Sequence, residues 1–76
     1  MDICDQARTA IEDEIPGATV EVTGSGGHFV IRVVSEAFAG KRIVAKQRMV
    51  YKAITHLMAG DMAPIHAVDQ LICETP

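Results

Sequence analysis

At 76 residues, 49% hydrophobic and 22% charged, the chain is one small domain and is too apolar to be disordered. A chain this short buries roughly 60% of its unfolded surface, which disfavours a deep pocket and with it a self-contained enzyme. The formal net charge of −3 argues against a free-standing nucleic-acid binder, whose affinity comes from neutralising phosphates.

Phe29, Phe38 and Tyr51 are the only aromatic residues, so Val, Ile, Ala, Leu and Met must fill the core. Residues 2–14 read as a helix, because Ile3, Ala7, Ala10 and Ile11 recur at three- and four-residue spacing. Asp2 is placed to cap that helix, and Asp5 sits favourably at the positive end of its dipole. Pro16-Gly17 ends it. Residues 18–23 alternate Val20 and Val22 with Thr19, Glu21 and Thr23, which is a strand pattern. Gly24-Ser25-Gly26-Gly27 is expected to be a mobile loop. Residues 28–34 are the clearest strand in the chain. Phe29, Ile31 and Val33 share its apolar face, so His28 points away from the core.

Ser35 can cap a short helical turn that ends at Phe38-Ala39-Gly40. A long helix is expected from residue 42 to 59. Ile43, Val44, Val50, Tyr51, Ile54, Leu57 and Met58 fall in its apolar arc. Met49, Met58 and Met62 read as packing residues. Gly60 and Pro64 stop the helix. Residues 65–73 make the last strand, with Ala67, Leu71 and Cys73 on one face. Asp69 interrupts that face, and a one-residue bulge would reconcile it. The order αββααβ implies an α+β domain spanning residues 1–76. Its economical architecture is a three-stranded sheet with the helices packed on one face, in the order of a class II KH-like fold.

Charge is unevenly distributed. Lys41, Arg42, Lys46, Arg48 and Lys52 are five of the seven Lys and Arg, and no acid lies between Glu36 and Asp61. Asp2, Asp5, Glu12, Asp13 and Glu14 crowd the N-terminal helix instead. The molecule therefore carries a basic element on an acidic body. Two cysteines, Cys4 and Cys73, without a CxxC motif, point to a reducing, cytoplasmic setting, where both read as small core residues. The opening Met1-Asp2-Ile3-Cys4-Asp5 has the character of neither a signal nor a transit peptide. No apolar run approaches the ~18 residues that span a membrane.

His28 and His66 stand at the starts of two different strands. Imidazoles there are available to iron, zinc or copper, or are ordinary edge residues, and spacing alone leaves both readings open. No closed four-ligand set exists in the sequence, and Cys4 and Cys73 complete no zinc pattern. His56 falls on the polar face of the long helix.

A set of motifs carries these residues further. Gly27-His28-Phe29, Val33-Val34-Ser35 and Phe38-Ala39-Gly40 are followed by Val44-Ala45-Lys46-Gln47-Arg48-Met49-Val50-Tyr51. Ile65-His66-Ala67-Val68 and Thr75-Pro76 close the series. In this order, over residues 27–76, they resemble the BolA family. The resemblance implies the αββααβ fold already derived, and a non-enzymatic partner of a monothiol glutaredoxin. It further implies a heterodimer sharing a [2Fe–2S] cluster, with thiolates from glutaredoxin and glutathione and nitrogen from this chain. The implied role lies in iron–sulfur cluster assembly, trafficking or iron sensing. The chain alone is expected to be a monomer or weak homodimer.

The resemblance assigns His66 as a metal ligand. The family's second ligand, His or Cys, comes from the loop and start of the second strand. Residues 24–27 hold no Cys, so His28 takes that place. Gln47 stands where many relatives carry histidine, as in one bacterial branch. The stretch between His66-Ala67 and Thr75-Pro76 is one residue longer than the family pattern.

The alternative is a DNA-binding transcriptional regulator. Its interface would be Lys41, Arg42, Lys46, Arg48 and Lys52, on a helix-turn-helix-like arrangement formed by the short helix, the Gly40 turn and the long helix. Gly24-Ser25-Gly26-Gly27 matches a GxxG pattern but falls in a hairpin, where it reads as a turn. An enzyme is disfavoured further, because Ser25 and Ser35 have no Ser-His-Asp context. Asp13 and Glu14 read as solvated surface acids.

Overall fold

The computed structural model describes residues 2–76. Helix α1 spans Ile3–Glu14, strands β1 and β2 span Thr19–Ser25 and His28–Val34, and a 3₁₀ turn covers Glu36–Phe38. Helix α2 spans Ile43–Met58 and strand β3 spans Ala67–Glu74. The sheet order is β1-β2-β3, with β1 antiparallel and β3 parallel to β2. This is the αββααβ order read from the sequence, with the short second helix reduced to a single 3₁₀ turn.

The caps form where local chemistry places them. The Asp2 carboxylate accepts from the backbone N–H of Asp5 at 2.8 Å. Ser35 Oγ accepts from Ala37 N–H at 3.0 Å and starts the 3₁₀ turn. Phe38, at the end of that turn, is fully buried. One core joins Ala7, Ile11 and Ile15 to Val20, Phe29, Ile31 and Val33, and to Val50, Ile54 and Leu57 of α2. Both helices therefore pack on one face of the sheet. On the other face Arg32 links all three strands, with Nε 2.8 Å from Glu74 and Nη1 3.8 Å from Glu21.

Four expectations are corrected. First, residues 24–27 are not a mobile loop. Strand β1 continues through Ser25, which pairs with His28, and only Gly26 and Gly27 remain as the turn. Their φ values of +65° and +85° are those a two-residue type I′ hairpin demands. Second, Ile43 and Val44 do not reach the core. They are 71% and 57% exposed, whereas Val50, Ile54 and Leu57 further along α2 are buried. Third, Met62 is 94% exposed and packs on nothing. Fourth, Val68 and not Ala67 faces inward together with Leu71 and Cys73.

The expected bulge in β3 produces that last change. Phe29 pairs with Val68, and the next residue, Val30, pairs with Gln70. Asp69 is the extra residue. Skipping it keeps Val68, Leu71 and Cys73 on the core face and moves a carboxylate out of it.

The burial contrast sets the first prediction. Replacing Phe38 by Ala removes a fully buried ring and is expected to cost about 3–5 kcal/mol in urea unfolding. Val44→Ser, at the exposed start of α2, is expected to stay within about 0.5 kcal/mol of the parent.

Candidate metal-ligand pair at one end of the sheet

Strands β2 and β3 run in the same direction, so both begin at the same end of the molecule. His28 is the first residue of β2 and pairs with Ala67, the first residue of β3. His66 immediately precedes Ala67. The fold thus places at the same end of the sheet the two histidines that the sequence puts far apart. Both are exposed.

Different contacts hold them. The backbone N–H groups of His66 and Ala67 both donate to the carbonyl oxygen of Gly27, at 2.8 and 3.0 Å. The His66 ring lies over Gly27 itself, which is buried. A Cβ at position 27 would collide with Cδ2 of that ring. Gly27 is therefore both a turn residue and the platform of an imidazole. On the neighbouring strand, His28 Nδ1 lies 3.1 Å from Oδ1 of Asp69, the bulged residue. This contact is open to water, with the two side chains 61% and 56% exposed.

An open cleft of about 280 Å³ borders the same hairpin turn, lined by Ile3, Cys4, Gly24, Gly26, Phe29 and Pro64 among others. Cys4 Sγ points to the Gly24 carbonyl at 3.7 Å. Burial, followed by the carboxylates of Asp2 and Asp5, pushes the Cys4 thiol above its ordinary value. Burial does the same to Cys73, partly offset by Lys46. Both thiols are half-buried, pack against the core and stay protonated at neutral pH, as expected of inert residues.

The basic residues lie elsewhere. Ile65 N–H donates to the carbonyl of Leu57, which ties the C-terminal end of α2 to the histidine end. With 16 residues, α2 extends about 24 Å away from it. Lys41, Arg42 and Lys46 cluster at the far end, and Arg48 lies one turn further in. None of these four makes an ion pair among the described residues. Lys52 does, 3.2 Å from Glu14 of α1, so it stands apart from the cluster and Glu14 is not simply solvated. Arg42 is the N-cap of α2 yet makes no side-chain cap bond, and the first turn holds no acid. The expected helix-turn-helix has no first helix, since only the three-residue 3₁₀ turn precedes Gly40.

Sequence reading missed two residues here. Asp69 was legible only as a break in strand parity, and Gly27 only as a loop glycine within the Gly27-His28-Phe29 motif. The parity break was the available signal, because a bulge must send its extra side chain somewhere.

Among the described residues no group of three or more His, Cys, Asp or Glu could hold a metal ion. Two accessible imidazoles suit a metal group completed by another molecule, and do not suit one held by this chain alone. No described helix is long and apolar enough to cross a membrane. Fold and site together define a small domain whose candidate ligands, His28 and His66, stand exposed at its surface. A family model described as BolA-like protein matches residues 4–76, so the chain belongs to the BolA-like protein family. An Acinetobacter guillouiae protein, described as an uncharacterized protein in the rpoN-murA intergenic region, is 34% identical over 64 residues. The match covers 84% of this chain and 75% of that protein. The structure of a BolA protein homologue from Coxiella burnetii superposes with a TM-score of 0.80 at 30% identity, covering 100% of this chain and 94% of that one. Yeast Fra2 does so with a TM-score of 0.67 at 31% identity, covering 99% and 78%.

The platform contact is testable by two neighbouring substitutions. Gly26→Ala and Gly27→Ala both force a side chain into positive φ, at roughly 1–2 kcal/mol each. Only Gly27→Ala meets the His66 ring, whereas position 26 opens onto free space. NMR of the metal-free protein is expected to show His66 ring resonances displaced in Gly27→Ala and nearly unmoved in Gly26→Ala.

Proposed function

We propose that this chain is a non-enzymatic partner of a monothiol glutaredoxin, and that the two share a [2Fe–2S] cluster to which His66 and His28 supply nitrogen. The observation that carries this reading is the pair of exposed imidazoles at one sheet end, in a chain with no complete ligand set among its described residues. Membership of the BolA-like family supports it. The remaining ligands come from thiolates of glutaredoxin and glutathione. Imidazole in place of thiolate lowers the negative charge at the cluster and so tunes its potential and lability. The role belongs to cluster assembly, trafficking or iron sensing. Two free cysteines with raised thiols are compatible with the reducing cytoplasm, where we place it.

The chain's own residues have simple tasks in this reading. The Gly27 carbonyl fixes the backbone of His66, and the Gly27 surface supports its ring. The open cleft and exposed Met62 leave that end accessible to a second protein. Mixing the protein with cluster-loaded glutaredoxin and glutathione is expected to change the visible absorption and circular dichroism of the cluster. His66→Ala is expected to abolish most of that change while leaving unfolding stability within about 0.5 kcal/mol, since the ring is exposed. Identical spectra for His66→Ala and the parent would refute the assignment.

A second reading, DNA-binding regulation of transcription, has one observation in its favour. Lys41, Arg42, Lys46 and Arg48 have no acidic partner among the described residues, and they flank a helix N-terminus whose dipole adds positive potential. Four phosphate contacts predict a log–log salt slope near −3.6. Fluorescence anisotropy with duplex DNA is expected to show that slope, and binding that vanishes by ~150 mM salt would remove DNA as a working partner.

A further inference from the structure

The bulge at Asp69 has a chemical consequence. Without it, parity would carry Asp69 to the same face as Leu71 and Cys73, inside the core. With it, the carboxylate emerges beside the first residue of β2, and Oδ1 sits 3.1 Å from Nδ1 of His28. An ionised carboxylate only accepts hydrogen bonds. A neutral His28 ring can bond to it only by donating from Nδ1–H, which leaves Nε2 as the ring nitrogen with a free lone pair.

Resting on the function proposed above, we infer that Asp69 is a positioning residue that selects the Nδ1–H tautomer of His28 and presents Nε2 as its metal-binding atom. The tautomer at a metal-binding imidazole is set by the hydrogen bond its other nitrogen makes. In water the neutral ring favours the opposite tautomer, with Nε2 protonated, so an unassisted His28 would mostly offer Nδ1, the nitrogen nearer the backbone. Asp69 also limits rotation of the ring about χ2 and makes Nε2 a stronger donor. The two histidines are thus prepared differently. His66 is held through its backbone and the Gly27 surface, and His28 through a carboxylate on the adjacent strand.

The test begins with the metal-free protein. Long-range ¹H–¹⁵N correlation spectra at about pH 8.5, where a neutral imidazole is the main form, report the tautomer of each histidine. His28 is expected to carry its proton on Nδ1 in the parent and mainly on Nε2 in Asp69→Ala. Asp69→Asn keeps an acceptor oxygen and is expected to retain the parent tautomer, a rescue that general disruption of the bulge does not predict. Unchanged tautomer in Asp69→Ala would overturn the inference.

The second arm uses cluster-loaded glutaredoxin with glutathione. Asp69→Ala is expected to weaken cluster sharing about 10- to 100-fold, the usual cost of losing a partner behind a metal-binding histidine. Asp69→Asn is expected to be affected less. If His28→Ala weakens sharing and Asp69→Ala does not, the positioning role is wrong. If His28→Ala has no effect while His66→Ala does, the inference falls and the shared-cluster function stands with His66 as the chain's ligand and without His28. If neither histidine matters, the proposed function falls as well, and the inference with it.

Discussion

The parallel pairing of β2 with β3 is the constraint on which the candidate site depends. Parallel strands need a crossover between them, and here α2 supplies it. Had β3 paired antiparallel to β2, its first residues would lie beside Val34, and His66 would sit a strand length from His28. Parallel pairing brings both strand starts to one end. The Gly27 carbonyl then anchors the junction by accepting from two successive backbone N–H groups of the incoming strand. That anchor lies in the two-residue turn between β1 and β2. The hairpin that closes β1 on β2 therefore also seats the histidine that precedes β3.

Much of this was legible in the sequence wherever the signal was local. The Asp2 and Ser35 caps, the parity of β2 and the stop at Pro16-Gly17 depend on residues within a turn of one another, and each appears in the structure. Even the bulge was legible, because Asp69 broke an otherwise apolar parity. What the sequence left open was where each element meets another. Gly-Ser-Gly-Gly is compatible with a loose loop or a two-residue turn, and only pairing of Ser25 with His28 decides between them. Helical periodicity placed Ile43 and Val44 in the apolar arc, but burial requires a partner, and these two side chains remain exposed at the start of α2. The inward residue of β3 shifted from Ala67 to Val68 because the bulge falls after position 68, a location that parity alone does not fix. The histidines were recognisable as candidates from residue type and resemblance. Their supports, Gly27 and Asp69, were not, since both contacts exist only across strands.

The two candidate surfaces divide the molecule along α2. One end presents imidazole nitrogens beside an open cleft, and the other presents four cations without an ion pair among the described residues and an exposed apolar turn. Lys52 lies between them and is already engaged by Glu14. At about 24 Å, well over two Debye lengths at physiological salt, the two ends have little direct electrostatic influence on each other. The metal and DNA readings therefore concern different surfaces, and substitutions at one end leave the other intact for comparison.

A chain of this size has one core, and every buried residue of that core is occupied in holding the sheet to its helices. Chemically useful groups must then stand at the surface, each steadied by one or two contacts and not by an enclosing wall. That fixes what such a domain can contribute to a metal. The soft donors, Cys4 and Cys73, are packed against the core and pushed towards the protonated form, Cys4 by two nearby carboxylates as well as by burial. The hard-to-bury donors, the imidazoles, remain outside and cost little to expose. On the proposed reading, this division explains why nitrogen comes from the chain and sulfur from its partner. The core claims the thiols, and a second protein must bring its own.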